Sequence, residues 1–150
     1  MAWDALLNTV EQRFRAVVDD LDAVPTIYQN QPLEELDLDG LPDDTGFGLW
    51  RAVTWVTGES QELARGREYT NVRMVVMVAS NLEVGLGPAI AEAQSIRTKM
   101  REDMIENPLE GIHFVGGDVQ IIGEVMDPNT KAKSFQVNYS LRVMLEEAVT

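Results

Sequence analysis

The sequence predicts an α+β domain in which a mainly antiparallel sheet carries two helices packed on one face, in the order α-β-β-β-α-β-β. Two observations lead to this expectation. Apolar residues recur at helical spacing in two separate stretches, and they alternate with polar residues in several others. Strands and helices that are grouped in this way, without a regular β-α alternation, are typical of helices packed on an antiparallel sheet.

Each predicted helix has one apolar face. The first runs from about Trp3 to Asp20, and the second starts at the turn Gly85-Leu86-Gly87-Pro88, with the proline just inside the helix, and closes at Asn107-Pro108. Proline is favourable in a first helical turn because its missing N–H would have no partner there. The apolar stripes are Trp3, Leu6, Leu7, Val10, Phe14, Val17, Val18 and Leu21 in the first helix and Ile90, Ala93, Ile96, Met100 and Met104 in the second.

Five stretches are predicted as strands, and the last of them is the most regular. The predicted strands are Thr26–Asn30, Leu49–Thr57, Tyr69–Ser80, about Val115–Met126, and Ser134–Leu145. In the last strand one face carries six apolar residues, Phe135, Val137, Tyr139, Leu141, Val143 and Leu145. A slip of one residue would expose all of them to water, so the register of this strand is strongly specified.

Length and composition bound the function. A chain of 150 residues with 45% hydrophobic content fits a single domain over residues 1–150. Cysteine is absent, which excludes disulfides, thiolate metal sites and a cysteine nucleophile. We expect no export signal and no membrane segment, because the longest apolar run, Met74–Ala79, is too short to span a bilayer.

The formal charge of -13 disfavours tight binding to phosphate backbones, which requires a basic surface. Much of this charge is concentrated in a loop predicted at about 31–47, which holds six acids and no base: Glu34, Glu35, Asp37, Asp39, Asp43 and Asp44. Loops longer than about 12 to 15 residues are often functional. The acidic loop is therefore a candidate working part.

The recognisable chemical motifs are incomplete. Gly85-x-Gly87 lacks the third glycine of a dinucleotide-binding loop, and His113 is the only histidine in a chain without a Gly-x-Ser-x-Gly elbow. Asp37-x-Asp39-Gly40 begins like a calcium loop, but Leu41 follows where an acid or amide is required. We predict no catalytic residue, no cofactor and no metal site.

Two pairs of side chains are candidates for contacts with another subunit or a tube. Trp50 and Trp55 lie five residues apart in one strand and should face opposite sides of the sheet, where core and interface roles are both open. Arg65 and Arg67 flank Gly66 in a polar hairpin segment. On so acidic a protein they suit a salt bridge to a neighbouring subunit, although a solvated turn explains them equally well.

Several sequence segments, taken together with the amphipathic N-terminal helix and the order of elements, carry a family resemblance. The segments are Ile27-Tyr28-Gln29-Asn30-Gln31-Pro32, Leu49-Trp50-Arg51-Ala52-Val53, Gly58-Glu59-Ser60, Arg73-Met74-Val75-Val76-Met77-Val78, Ile96-Arg97-Thr98-Lys99-Met100 and Gln136-Val137-Asn138-Tyr139-Ser140. They resemble the tail terminator proteins of long-tailed bacteriophages, and the resemblance covers nearly the whole chain. The acidic segment Glu34 to Asp44 matches no motif of the family.

The resemblance implies a structural virion protein, not an enzyme. Six subunits would form a ring at the head-proximal end of the tail, after assembly in the host cytoplasm. The implied partners are further copies of the chain, the tail tube protein and the head–tail connector or stopper protein. DNA would pass through the ring without specific binding, and a ring charge of 6 × -13 = -78 would repel its phosphates.

Two alternatives remain open at this point. One is a head-completion or stopper protein, which also forms rings. The other is a non-viral cytoplasmic ligand-binding α+β domain whose acids only solvate the surface. A stable ring would favour a virion protein, and a persistent monomer would favour the ligand-binding domain.

Overall fold

The computed structural model describes residues 3–18, 24, 26–28, 49–64, 66–82, 85–126 and 133–148. The helices and strands within these residues are α1 (Trp3–Val17), β1 (Thr26–Tyr28), β2 (Leu49–Ala64), β3 (Arg67–Asn81), α2 (Gly87–Glu106), β4 (Ile112–Met126) and β5 (Lys133–Ala148). This arrangement confirms the predicted α+β class and the predicted order of elements.

The strands form one five-stranded sheet in the order β1-β2-β3-β5-β4. All pairs among the four long strands are antiparallel, whereas the short strand β1 runs parallel to β2. The central strand pair, β3 with β5, keeps an unbroken register from Arg67↔Ala148 to Asn81↔Ser134. The alternating pattern of β5 therefore fixes the centre of the sheet, as its sequence predicted.

The expected boundary between β2 and β3 is wrong. The stretch 58–64 was expected to connect the strands, but it belongs to β2, and β3 already begins at Arg67. Gly66, directly before β3, lies in a turn and has a φ of 78°. Pairing with β3 supplies backbone hydrogen bonds to this polar stretch, which outweighs its weak intrinsic strand propensity.

One face of the sheet carries the core. On β5 the residues Val137, Tyr139, Leu141, Val143 and Leu145 are all at most 1% exposed, while Phe135, the first residue of the predicted set, is half-buried. Their register partners on β3 are Val78, Val76, Met74, Val72 and Thr70, which are equally buried. We call this side of the sheet the covered face.

Both helices contact residues of the covered face. The buried stripe of α2 consists of Ala89, Ala93, Ile96, Met100 and Met104, so that Ala89 takes the place predicted for Ile90. Val10 and Phe14 of α1 belong to the same apolar cluster as this stripe and the covered face. Between the helices, Arg13 of α1 forms a salt bridge of 2.8 Å to Asp103 of α2.

The opposite side of the sheet, which we call the open face, carries the residues that alternate with the core. They include Trp50, Ala52, Thr54 and Val56 on β2 and Tyr69, Asn71, Arg73, Val75 and Met77 on β3. On β5 they are Gln136, Asn138, Ser140, Arg142, Met144 and Glu146. No helix in the described residues is long and apolar enough to cross a membrane.

Candidate functional site

The whole of the predicted acidic site lies outside the described residues. It consists of Glu34, Glu35, Asp37, Asp39, Asp43 and Asp44, and Arg65 of the predicted arginine pair is also outside the described residues. Their predicted roles at a channel and at a subunit contact stay predictions.

Arg67 is the described member of the predicted arginine pair. It is exposed, and it begins β3 at the end of the sheet where Ala64 of β2 and Ala148 of β5 are its register partners. The pKa of Glu146 is lowered first by a hydrogen bond from Tyr69, and the guanidinium of Arg67 lowers it further. Arg67 thus adds positive charge to a polar cluster on the open face.

Trp50 and Trp55 lie on opposite faces of the sheet, as their spacing predicts. On the covered face, Trp55 donates a hydrogen bond of 3.3 Å from Nε1 to Oε1 of Glu11, a buried residue of α1. Trp50 lies on the open face, where its register partner is Ala79 and its side chain is half-buried. Trp55 therefore serves the core, and Trp50 is the tryptophan whose position suits a contact outside the domain.

A buried arginine joins β2 to α2 and to the end of β1. Arg51 has no exposed side-chain surface, and its Nη1 lies 2.6 Å from Oε1 of Glu92. Its Nε donates to Oγ1 of Thr26 at 2.9 Å, and its guanidinium carbon lies 5.7 Å from the ring centroid of Phe14. A charge removed from water needs such partners, so this cluster is architectural.

A second polar cluster lies on the open face near Arg67 and spans three strands. The hydroxyl of Tyr69 donates a hydrogen bond of 2.7 Å to Oε1 of Glu146. Nε2 of His113 lies 3.7 Å from Oε2 of the same carboxylate, and the ring centroids of Tyr69 and His113 are 6.2 Å apart. The lone histidine, expected just before a strand, therefore lies inside β4 and beside a carboxylate.

The Tyr69–Glu146 hydrogen bond shifts the pKa values of its two groups in opposite directions. It holds the pKa of Tyr69 above its usual value, because the bond is lost when the phenol ionises. It lowers the pKa of Glu146, because the donated hydrogen bond favours the carboxylate. In the described residues no hydrogen bond joins His113 to a serine, so the cluster has a histidine and a carboxylate without the nucleophile of a hydrolytic triad.

Two arginines lie directly opposite each other on the open face. Arg73 of β3 and Arg142 of β5 are register partners, and with Val56, Asn71 and Val115 they line a depression of about 370 Å³. Nε of Arg142 lies 3.3 Å from Oδ2 of Asp118 on β4, without an aligned hydrogen bond. Like charges directly opposite in a sheet repel, so Asp118 offsets part of the cost of this pair.

The described residues contain no group of three His, Asp or Glu side chains placed to hold a metal ion. Two further open depressions, of about 320 and 260 Å³, lie along α2 and between α2 and β4. Each is lined mainly by exposed charged and polar residues.

Sequence reasoning did not single out the buried Arg51–Glu92 pair or the Tyr69–Glu146–His113 cluster. The position of Arg51 within the apolar phrase Leu49-Trp50-Arg51-Ala52-Val53 was the available signal. It alternates in step with Val53 and Trp55, which places it on their face of the strand. The second cluster requires the register of three strands and has no local sequence signal.

No known protein-family model matches the chain, and no curated protein matches it in sequence.

Proposed function

We propose that this protein is a ring-forming subunit that caps the head-proximal end of a bacteriophage tail tube. The ring would stop tube polymerisation, join the tail to the head connector and leave a channel for DNA. The proposal rests on the resemblance to tail terminator proteins. The observation that supports it best is the α-β-β-β-α-β-β order around one sheet, with residues of both helices in the apolar cluster of the covered face.

A ring subunit must contact two neighbours, the tube and the connector, so it needs several separate surfaces. The described residues offer an open sheet face with the half-buried Trp50, the exposed Arg67 at the start of β3, and the long outer strand β4. A single enclosed pocket would suit a small-molecule ligand better. The depressions in the described residues are open instead.

The direct test is to measure mass and shape with and without tail tubes. Six subunits of 16.7 kDa would give a ring of about 100 kDa in light scattering, and electron microscopy should show that ring at one end of purified tubes. The free protein is expected to be partly monomeric when dilute, because a marginal interface is populated by mass action. A protein that stays monomeric at every concentration and does not bind tubes would refute the proposal.

A sharper prediction concerns Arg65 and Arg67, which we propose contact a neighbouring subunit or the tube. Reversing both charges with Arg65→Glu and Arg67→Glu should impair assembly without unfolding the domain, because the described Arg67 is exposed. The matched control is Arg97→Glu with Arg101→Glu on α2, two exposed arginines far along the chain from this turn. Equal assembly of the two double variants at physiological salt would show that the turn is only solvated.

The acidic segment with Glu34, Glu35, Asp37, Asp39, Asp43 and Asp44 is proposed to face the channel or its mouth. Acids brought together around a ring repel each other and also repel the phosphates of passing DNA. Replacing the six with Asn and Gln should therefore ease ring formation at low salt and slow DNA passage. Particles that assemble and eject DNA like the wild type would contradict the channel position.

A further inference from the structure

The outer edge of the sheet at β4 is long, and no other strand of the described residues lies beside it. β4 spans 15 residues, and within the described part of the chain it pairs with β5 alone. A strand at the edge of a sheet presents a row of backbone N–H and C=O groups that another strand can bind. Most proteins shield such an edge with charges, bulges or a covering segment.

Four of the six large exposed apolar residues in the described part of the chain lie on β4 and β2. β4 carries Val115, Ile121 and Ile122, which are 49%, 56% and 43% exposed, and Val56 on β2 is 51% exposed. Val115 and Ile122 are the extra residues where the β4–β5 register shifts, so neither has a register partner on β5. Each bulge leaves an apolar side chain outside the ladder, where a second molecule can bury it.

The charges that would normally protect this edge are neutralised locally. Asp118 on β4 lies 3.3 Å from Arg142, and Glu124 lies 3.5 Å from Lys133. Both bases belong to β5. In a protein with a net charge of -13, copies repel each other over most of their surface. The paired charges of β4 make its edge a place where two copies can approach at a lower electrostatic cost.

The chain also carries a complementary edge. β1 pairs with β2 only from Arg51 to Val53, and no other described strand lies beside the stretch 54–64. That stretch is about 36 Å long at roughly 3.3 Å per residue. Because β2 and β4 lie toward opposite edges of one sheet, a contact between them on two copies is head to tail, and such contacts close into a ring when the rotation permits.

We propose that β4 of one subunit pairs with the stretch 54–64 of β2 in a second copy, so that the sheets of neighbouring subunits become continuous. The occupant is a second copy because, in the part of the chain that the structure describes, every copy brings two edges without a neighbouring strand and exposed apolar residues on both β4 and β2. This inference rests on the proposed ring and names the interface that would build it.

Thiol crosslinking tests the pairing cleanly, because the natural chain has no cysteine. The single-cysteine variant Val56→Cys is mixed with the single-cysteine variant Val115→Cys, and a thiol-specific crosslinker is added. The expected product is a crosslinked dimer that contains one copy of each variant. The control pairs Val56→Cys with Ile105→Cys, since Ile105 is 59% exposed on α2. Equal crosslinking of both mixtures, or none in either at concentrations where rings form, would overturn the pairing.

A second variant reports on the energy of the contact. Ile121→Lys puts a charge on the proposed interface and should weaken assembly by about tenfold or more, since it forfeits burial of a large apolar side chain. Ile105→Lys is the matched control and should assemble like the wild type. Rings that tolerate Ile121→Lys would refute the edge pairing and leave the ring intact, whereas wild-type protein that never assembles, even with tubes, would refute both.

Discussion

The covered and open faces of the sheet are built from alternate residues of the same strands. Both faces carry arginine, but the arginine is buried on the covered face and exposed on the open face. Arg51 on the covered face is fully buried and bonded to Glu92 and Thr26. Arg73 on the open face is exposed, and no side-chain partner of it is found in the described residues. The difference shows that the helices, rather than the strand sequence alone, decide whether an arginine is structural.

Two neighbouring glycines of β4 show the same contrast at the scale of one atom. A Cβ at Gly117 would lie 2.9 Å from Cε1 of Tyr139 on the covered face. A Cβ at Gly116 would lie 3.0 Å from Nη2 of Arg142, the far end of a flexible side chain. The rigid ring cannot move aside, whereas the guanidinium can, so only Gly117 is required for packing.

The largest expected difference in stability is between variants of the arginines on the two faces. Arg51→Ala should lower the free energy of unfolding by about 3 to 5 kcal/mol, because it leaves Glu92 without its buried partner. Arg73→Ala should change it by less than about 0.5 kcal/mol, as is usual for an exposed residue. Urea denaturation followed by circular dichroism measures both.

A double variant sharpens this test. Arg51→Leu combined with Glu92→Leu removes both charges and should recover much of the loss, since replacing a whole buried ion pair by apolar residues is often neutral. If Arg51→Ala and Arg73→Ala destabilise the domain equally, burial on the covered face does not make Arg51 more important for stability than the exposed Arg73.

The contrast also explains what the sequence could predict. The alternation in β5 and the helical stripe Ala93, Ile96, Met100 and Met104 are local patterns, and both predicted the buried face correctly. The extension of β2 to Ala64 depends on hydrogen bonds from β3, and the Tyr69–Glu146–His113 cluster depends on the register of three strands. Such features come from pairing partners distant in sequence, which local periodicity does not contain.

The next difference concerns the two glycines. Gly117→Ala should destabilise the domain by about 1 to 3 kcal/mol, the usual cost of forcing an extra methyl group into a packed core. Gly116→Ala should be nearly neutral, because the side chain of Arg142 can turn toward solvent. Thermal melts of the two variants give the comparison, and a neutral Gly117→Ala would show that the ring of Tyr139 is free to move.

The smallest expected change in stability comes from removing the hydroxyl of Tyr139 or of Tyr69. Tyr139 is buried on the covered face, where its hydroxyl has no hydrogen-bond partner among the described residues, whereas Tyr69 on the open face donates to Glu146. Tyr139→Phe should therefore stabilise the domain by about 1 kcal/mol, because it removes a buried polar group that lacks a partner. Tyr69→Phe should instead cause a small loss.

The difference in stability between Tyr139→Phe and the wild type should also depend on pH, with a definite sign. Burial raises the pKa of Tyr139 well above the value of about 10 that a tyrosine has in an unfolded chain. Between these two pKa values the folded state holds a proton that the unfolded state has released, so stability falls as the pH rises above about 10. Tyr139→Phe lacks this proton, and its stability advantage over the wild type should grow over that range. Denaturation midpoints at pH 8 and at about pH 10.5 measure the change, and an advantage that stays constant would mean that the hydroxyl of Tyr139 reaches water in the folded protein.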